Sequence, residues 1–278
     1  MRLKKIRVIF SLVIIILLGL IGYIVNGILN KETKEVIVAK KFIEDLSDEK
    51  IINNSNYNKE AIEEEVLNKL NSKSSQIQYS VIVGNYGVDI DKNYNVLGFS
   101  NKNLGTKIKL AEISEEKATS LATKYIDEIT NDEFIFKEIK TREEEGSPCY
   151  NVVFYKCKDG YPYYKQEINT SINKVTGKLE AYSNYPLDNI KHIKDINIDE
   201  YKAKNIVQNY FINLNLKSEI LDKPMIAFVS VNDNEMTLSY VYNVKTIDDK
   251  NKEEKYIIYI RADLGEVINY NLESSTNS

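Results

Sequence analysis

The sequence predicts an α+β chain, with an N-terminal transmembrane helix followed by tandem units that each hold a helix and a four-stranded antiparallel sheet. The first observation behind this is a helical stripe. Ser114 stands where an N-cap belongs, and Ala118, Leu121, Ala122, Tyr125, Ile126 and Ile129 follow at spacings that share one helical face. The second is its recurrence: Asp199 is again a cap, and Ala203, Ile206, Val207, Tyr210, Phe211 and Leu214 each stand 85 positions after their counterparts. The third is a closing hairpin after each helix, with Gly177 and Gly265 lying 88 positions apart. Three residues gained in a loop between helix and hairpin are what repeats of a folded unit tolerate.

The N-terminus carries Arg2, Lys4, Lys5 and Arg7, and Val8 to Ile28 is almost unbroken apolar sequence. That length crosses a hydrocarbon core of roughly 30 Å, and the cations keep the N-terminus in the cytoplasm. A cleaved signal peptide shares these features, but its apolar run is shorter, and no small-x-small cleavage site follows here. Gly19 and Gly22 are too close for a helix-pairing Gly-x-x-x-Gly. The reading is therefore an uncleaved, single-pass cell-membrane anchor with Lys31 to Ser278 extracytoplasmic.

Helical patterns cover Lys31 to Asp48 and Lys59 to Asn71, and alternation from Gln76 to Val83 reads as a strand. Val88 to Phe99 resembles the two later hairpins, in a shorter match that slips by one residue, with Asn95 in the place of the glycines. The second unit continues with strands near Phe134–Thr141, Cys149–Cys157, Tyr161–Ile172 and Lys178–Ser183. The third repeats them at Met225–Val231, Met236–Thr246, Lys255–Arg261 and Glu266–Asn271. Short polar turns between them favour antiparallel neighbours. The chain thus divides into a cytoplasmic N-terminus (1–7), an anchor (8–29), a divergent helical and β-hairpin unit (30–104) and two clear repeats (105–190 and 191–278, the last with a frayed tail).

Composition narrows function by exclusion. Once the four N-terminal cations are set aside, 33 basic side chains face 41 acidic ones, a balance of −8 that suits neither nucleic acid nor anionic lipid. Cys149 and Cys157 sit on one expected strand, about 26 Å apart if extended, which is too far for a disulfide. His192, the only histidine, reads as a linker or surface residue. Ser114-Glu115-Glu116-Lys117 fits Ser-x-x-Lys, but the companion motifs of acylating enzymes are missing and the cap reading wins. Asp89, Asp91 and Asn93 match the start of a calcium loop, yet Tyr94 replaces its glycine and Ser100 its bidentate glutamate, so a turn is expected. Glu143, Glu144 and Glu145 read as a solvated loop. No catalytic, cofactor or metal set emerges.

The segment Asp159-Gly160-Tyr161, then Ile168, Ile172-Asn173-Lys174, Thr176-Gly177-Lys178-Leu179 and Tyr182, resembles the PepSY domain and its relatives in YcdB/YcdC-repeat and YpeB-type germination proteins. Leu264-Gly265-Glu266-Val267 and Tyr270 form a looser second copy. The resemblance implies extracytoplasmic, often membrane-anchored modules that bind or restrain other proteins, including proteases and cell-wall hydrolases, without catalytic residues of their own. YycI-type regulators of membrane sensor histidine kinases are similar in layout, although the residues match them less closely. A cell-envelope enzyme with an unrecognised site is the third class. The expected contact patch is Tyr161, Tyr163 and Lys165, beside Tyr164, because tyrosines suit interfaces.

The anchor reading has a direct check. Protease added to intact protoplasts should degrade the large domain, whereas a domain that survives until lysis has the opposite orientation.

Overall fold

The structure, a computed structural model, describes residues 33–53, 65–67, 76–104, 110–140, 147–187 and 189–272. Helix α1 (Lys34–Asp48) is followed by β1 (Glu65–Leu67), β2 (Tyr79–Val83), β3 (Tyr86–Ile90) and β4 (Val96–Asn101). Helix α2 (Glu115–Ile129) precedes β5 (Glu133–Lys140), β6 (Cys149–Lys158), β7 (Tyr161–Asn173) and β8 (Leu179–Asn184). After a short β9 (Lys191–Ile193), helix α3 (Glu200–Asn213) leads into β10 (Lys217–Ile220), β11 (Met225–Asn232), β12 (Glu235–Ile247), β13 (Glu253–Arg261) and β14 (Val267–Leu272).

The two expected caps form. Ser114 Oγ accepts the Lys117 N–H at 3.3 Å, and Asp199 Oδ1 accepts that of Lys202 at 2.8 Å. On α2 the stripe buries Ala118, Ala122, Tyr125 and Ile126, and on α3 it buries Ala203, Val207 and Phe211. Leu214 departs from the expectation. It caps the C-terminus of α3 and is 46% exposed, because the helix stops one residue before it.

Each clear helix is then tied to its distant hairpin. The Lys174 carbonyl accepts the N–H groups of Glu112 and Ile113, at 2.9 and 3.2 Å; the Ala262 carbonyl accepts those of Asn197 and Ile198, at 2.8 and 3.0 Å. A tyrosine closes the tie from below, with the Tyr150 hydroxyl donating to the Ile113 carbonyl at 3.1 Å and Tyr240 to that of Ile198 at 2.9 Å. Gly177 and Gly265 turn at φ +68° and +73°, and a Cβ there would meet Leu121 Cδ1 at 2.9 Å and Ile206 Cδ1 at 3.2 Å. Leu121 and Ile206 therefore fill the same site in the two repeats, as their spacing predicts.

The expected tandem units with separate four-stranded antiparallel sheets do not hold. Among the described residues all fourteen strands lie in one mixed sheet. Antiparallel β4·β8 pairing joins the first two meanders, while β7 meets β11 in parallel at Tyr163 and Phe228, and β9 meets β12 in parallel. The physical reason is that a bare strand edge leaves backbone donors and acceptors unpaired, and these edges satisfy one another. Cores merge accordingly. Helices α1 and α2 cover one face of the sheet and share a core with β2–β4 and β6–β8, whereas α3 has its own with β11–β13. A small third cluster, around Ala227, Val229, Val241 and Tyr259, backs the sheet of the third repeat.

The transmembrane helix of that expectation, at 8–29, lies outside the described residues. Among the described residues no helix is long and apolar enough to cross a membrane. Of the helix expected over Lys59–Asn71, the described part, Glu65–Leu67, is instead strand β1, paired antiparallel with β2. The acidic run at 143–145 also lies outside the described residues. In the first hairpin the left-handed residue is Tyr94, at φ +67°, and not Asn95. This turn is tighter, closing from Asp91 N–H to Asn95 carbonyl where the later hairpins close from Asn173 to Lys178 and from Arg261 to Glu266. Asp91 Oδ1 accepts the Asn93 and Asn95 N–H groups, both at 2.8 Å, so its calcium-like spacing serves the turn. Both cysteines lie on β6 as free thiols.

Alanine at Gly177 or Gly265 should destabilise the chain by roughly 1 kcal/mol or more, since a left-handed turn is lost and a side chain is pressed. The tighter Gly177 site should suffer more, and urea denaturation of the two variants measures the difference.

Candidate functional site

Strands that bury one face leave alternate residues on the other. On the helix-free face of the first two repeats these residues are mostly short, and many are polar: Asp89 on β3, Ser100 on β4, Ser183 on β8, Asn169 and Ser171 on β7, and Asn151 on β6, interspersed with Gly98, Ala181 and Val153. Because β3, β4, β8, β7 and β6 are consecutive neighbours, the side chains line a single open trough of about 390 Å³. Ser171 Oγ donates to Asn151 Oδ1 at 2.8 Å, and Tyr185, 39% exposed, stands on the rim. At one end Glu167 is clamped by Lys137 at 2.6 Å and Lys140 at 2.9 Å. Burial alone would raise the Glu167 carboxyl, but hydrogen bonds from the two lysines hold it below its ordinary value. Hydroxyl and amide groups both donate and accept, so the trough is suited to holding a polar chain.

The expected patch is not assembled as a surface. Tyr163 is only 6% exposed; it packs at a tilt against Phe228 with ring centroids 5.3 Å apart, and its hydroxyl lies 2.8 Å from His192 Nε2. Tyr161 packs edge-on against the same Phe228. Lys165 is exposed, at φ +71°, with its ammonium 6.0 Å from the Tyr259 ring, and Tyr164 packs on Tyr259 as well. The two faces of this strand segment are thus divided between the two clusters of the third repeat. Sequence reasoning took the tyrosines for a wet face because it had no signal that β11 would dock there.

His192 is likewise no free linker residue. It sits on β9, edge-on to Phe228 at 5.1 Å, and so joins β7 to the third repeat. Burial, then the charges of Lys158 and Lys194, lower its pKa against the opposing pull of Asp159. The thiols are hard to ionise. Burial and then Glu180 push Cys149 up to about 12, and burial and then Glu133 push Cys157 up to about 11.

A second cavity, about 510 Å³, lies where the first two repeats meet this joint, lined in part by Asn95, Thr130, Asp132, Lys156, Tyr163 and Asn184. Lys156, 6% exposed, is 3.1 Å from Asp132 Oδ2 and donates to the Tyr185 carbonyl at 3.0 Å. Asn184 Nδ2 donates to the same carboxylate oxygen at 2.8 Å, while its Oδ1 is buried without a hydrogen-bond partner. Burial would raise Asp132, but the Asn184 hydrogen bond and the Lys156 charge hold it low. This ties the end of α2 to the end of β8.

A pH dependence follows from the joint. The folded state lowers the pKa of His192, so below about 6.5 the unfolded chain binds more protons than the folded one, and stability falls as pH falls. The thermal unfolding midpoint should drop as pH falls from 7 to about 5.5, and His192→Gln should flatten that part of the profile.

No family model matches the chain, and no curated protein matches it. Among solved structures it is similar to the C-terminal domain of YpeB from Bacillus megaterium, with a TM-score of 0.52 and 17% identity, covering 87% of this chain and 98% of that one. This chain therefore shares a YpeB-like fold, and the likeness selects no particular repeat family.

Proposed function

We propose that this chain is an extracytoplasmic interaction module, held at the cell membrane by residues 8–28, that binds and restrains an envelope protein such as a protease or cell-wall hydrolase. The observation that carries this reading is the trough. Asn151 of β6, Asn169 and Ser171 of β7, Ser183 of β8 and Ser100 of β4 line one open groove, with donors and acceptors both on offer. A groove of that kind fits an extended polypeptide segment, whose backbone groups need partners when taken from water. The YpeB-like fold and the sequence resemblance to PepSY modules point the same way. Contact and not turnover is favoured because both thiols are pushed up and the single histidine is committed to Tyr163. The acidic balance of residues 30–278 speaks for protein over nucleic acid as partner.

Ser171→Arg with Ser183→Arg places two large cations in the trough without touching the helix-side core. Capture of an envelope protein by in-cell crosslinking should fall at least tenfold while circular dichroism stays native. Undiminished capture, or turnover of a peptide or peptidoglycan substrate by the purified chain alone, would reject the reading.

A further inference from the structure

The third repeat leaves open a surface that the second repeat uses. Strands β4, β8 and β14 are each six residues long and each ends its repeat. Phe99, Tyr182 and Tyr270 are the fourth residues of the three. In the β4·β8 pair Phe99 faces Tyr182, flanked by Gly98 with Ser183 and Ser100 with Ala181. Equivalent residues thus meet at the centre, and the first two repeats are related by a local two-fold axis through that pair.

Pairing decides the burial. Tyr182 is 4% exposed and Tyr125 on α2 is 7% exposed beneath the shared core. Their counterparts, Tyr270 and Tyr210, lie 88 and 85 positions later. Tyr270 is 43% exposed, Tyr210 is partly so, and Leu272 beside them is 55% exposed. Tyr210, Tyr256 and Tyr270 form a cluster with ring centroids 5.5 and 5.8 Å apart around Tyr270. Among the described residues β14 pairs β13 alone, so one edge of its backbone is open.

The third repeat also carries the other half of the same joint. Just beyond α1, Lys50 turns at φ +58°, followed by Ile51, whose N–H returns to the Leu46 carbonyl at 2.9 Å. Just beyond α3, Asn215 turns in the same way at φ +57°, with the Leu216 N–H returning to the Phe211 carbonyl at 3.0 Å. In the first repeat the Ile51 carbonyl then accepts the N–H of Leu179, the first residue of β8, at 3.0 Å. A surface that bears both the strand edge and the helix end is self-complementary, which is what a two-fold interface between identical chains requires.

We propose that β14 pairs antiparallel with β14 of a second copy of this chain, with the two-fold axis at Tyr270 and the tyrosine cluster buried across it. This surface is distinct from the trough, so the two readings stand or fall separately. The test uses the full chain carrying a photo-crosslinking residue in place of Tyr270, irradiated in cells, together with the mass of the detergent-solubilised chain by analytical ultracentrifugation. The expected results are an adduct of two copies, a dimer mass, and conversion to monomer by Tyr270→Lys, which sets two cations on the axis. An adduct with a different protein, a monomer at every concentration, or a dimer indifferent to Tyr270→Lys would overturn the proposal. A crosslinker at Leu264, exposed on the hairpin outside the edge, should give no two-copy adduct.

Discussion

Two backbone N–H groups ahead of each clear helix share one carbonyl of a hairpin some sixty residues further on, and the repeats depend on that tie. Lys174 and Ala262 supply the carbonyls, and no side chain can substitute for their position. Everything between helix and hairpin must be in register before the bonds form, so the strands are held to a narrow geometry while the loops between them are not. That is why the caps keep a spacing of 85 and the turn glycines one of 88. The glycines then make room for Leu121 and Ile206, which seat each helix at a set height above its sheet.

Elements with local causes were legible. The caps, the helical stripes and the left-handed glycines follow from short-range rules, and Ser114, Ala118 and Gly177 stand where those rules put them. The single continuous sheet was not legible, because β4·β8 and β7·β11 are joined through backbone groups that every sequence possesses. Tyr163 shows the cost of this. Its alternation with Tyr164 suggests one wet face, yet the third repeat covers both faces of that segment. The trough was half legible, since Asn169 and Ser171 announce a polar face on β7, but only strand order reveals that Ser100 and Ser183 belong to it.

The joint between β7 and the third repeat differs in kind from the one between β4 and β8. Strand β7 bends at Lys165, so its later half serves the sheet of the first two repeats while Tyr161 to Tyr164 lean into the third. Beside the β7·β11 backbone pairing, the seam holds aromatic contact among Tyr163, Phe228 and His192, the Tyr163–His192 hydrogen bond and the Lys194–Asp159 ion pair. The β4·β8 joint instead lies over a large common core, with Lys156, Asp132 and Asn184 as a polar clasp at its margin.

The shared core also imposes an order of assembly. A ribosome delivers the first repeat before the second, yet Ile51 and Phe99 find their partners only at Leu179 and Tyr182, some eighty to one hundred and thirty residues later. Until then β4 presents a bare edge, the kind of surface on which chains associate wrongly. Contacts so distant along the chain also close slowly. The first two repeats, sharing one core, are therefore expected to fold together, whereas the third has a core of its own that meets the second along strand β7.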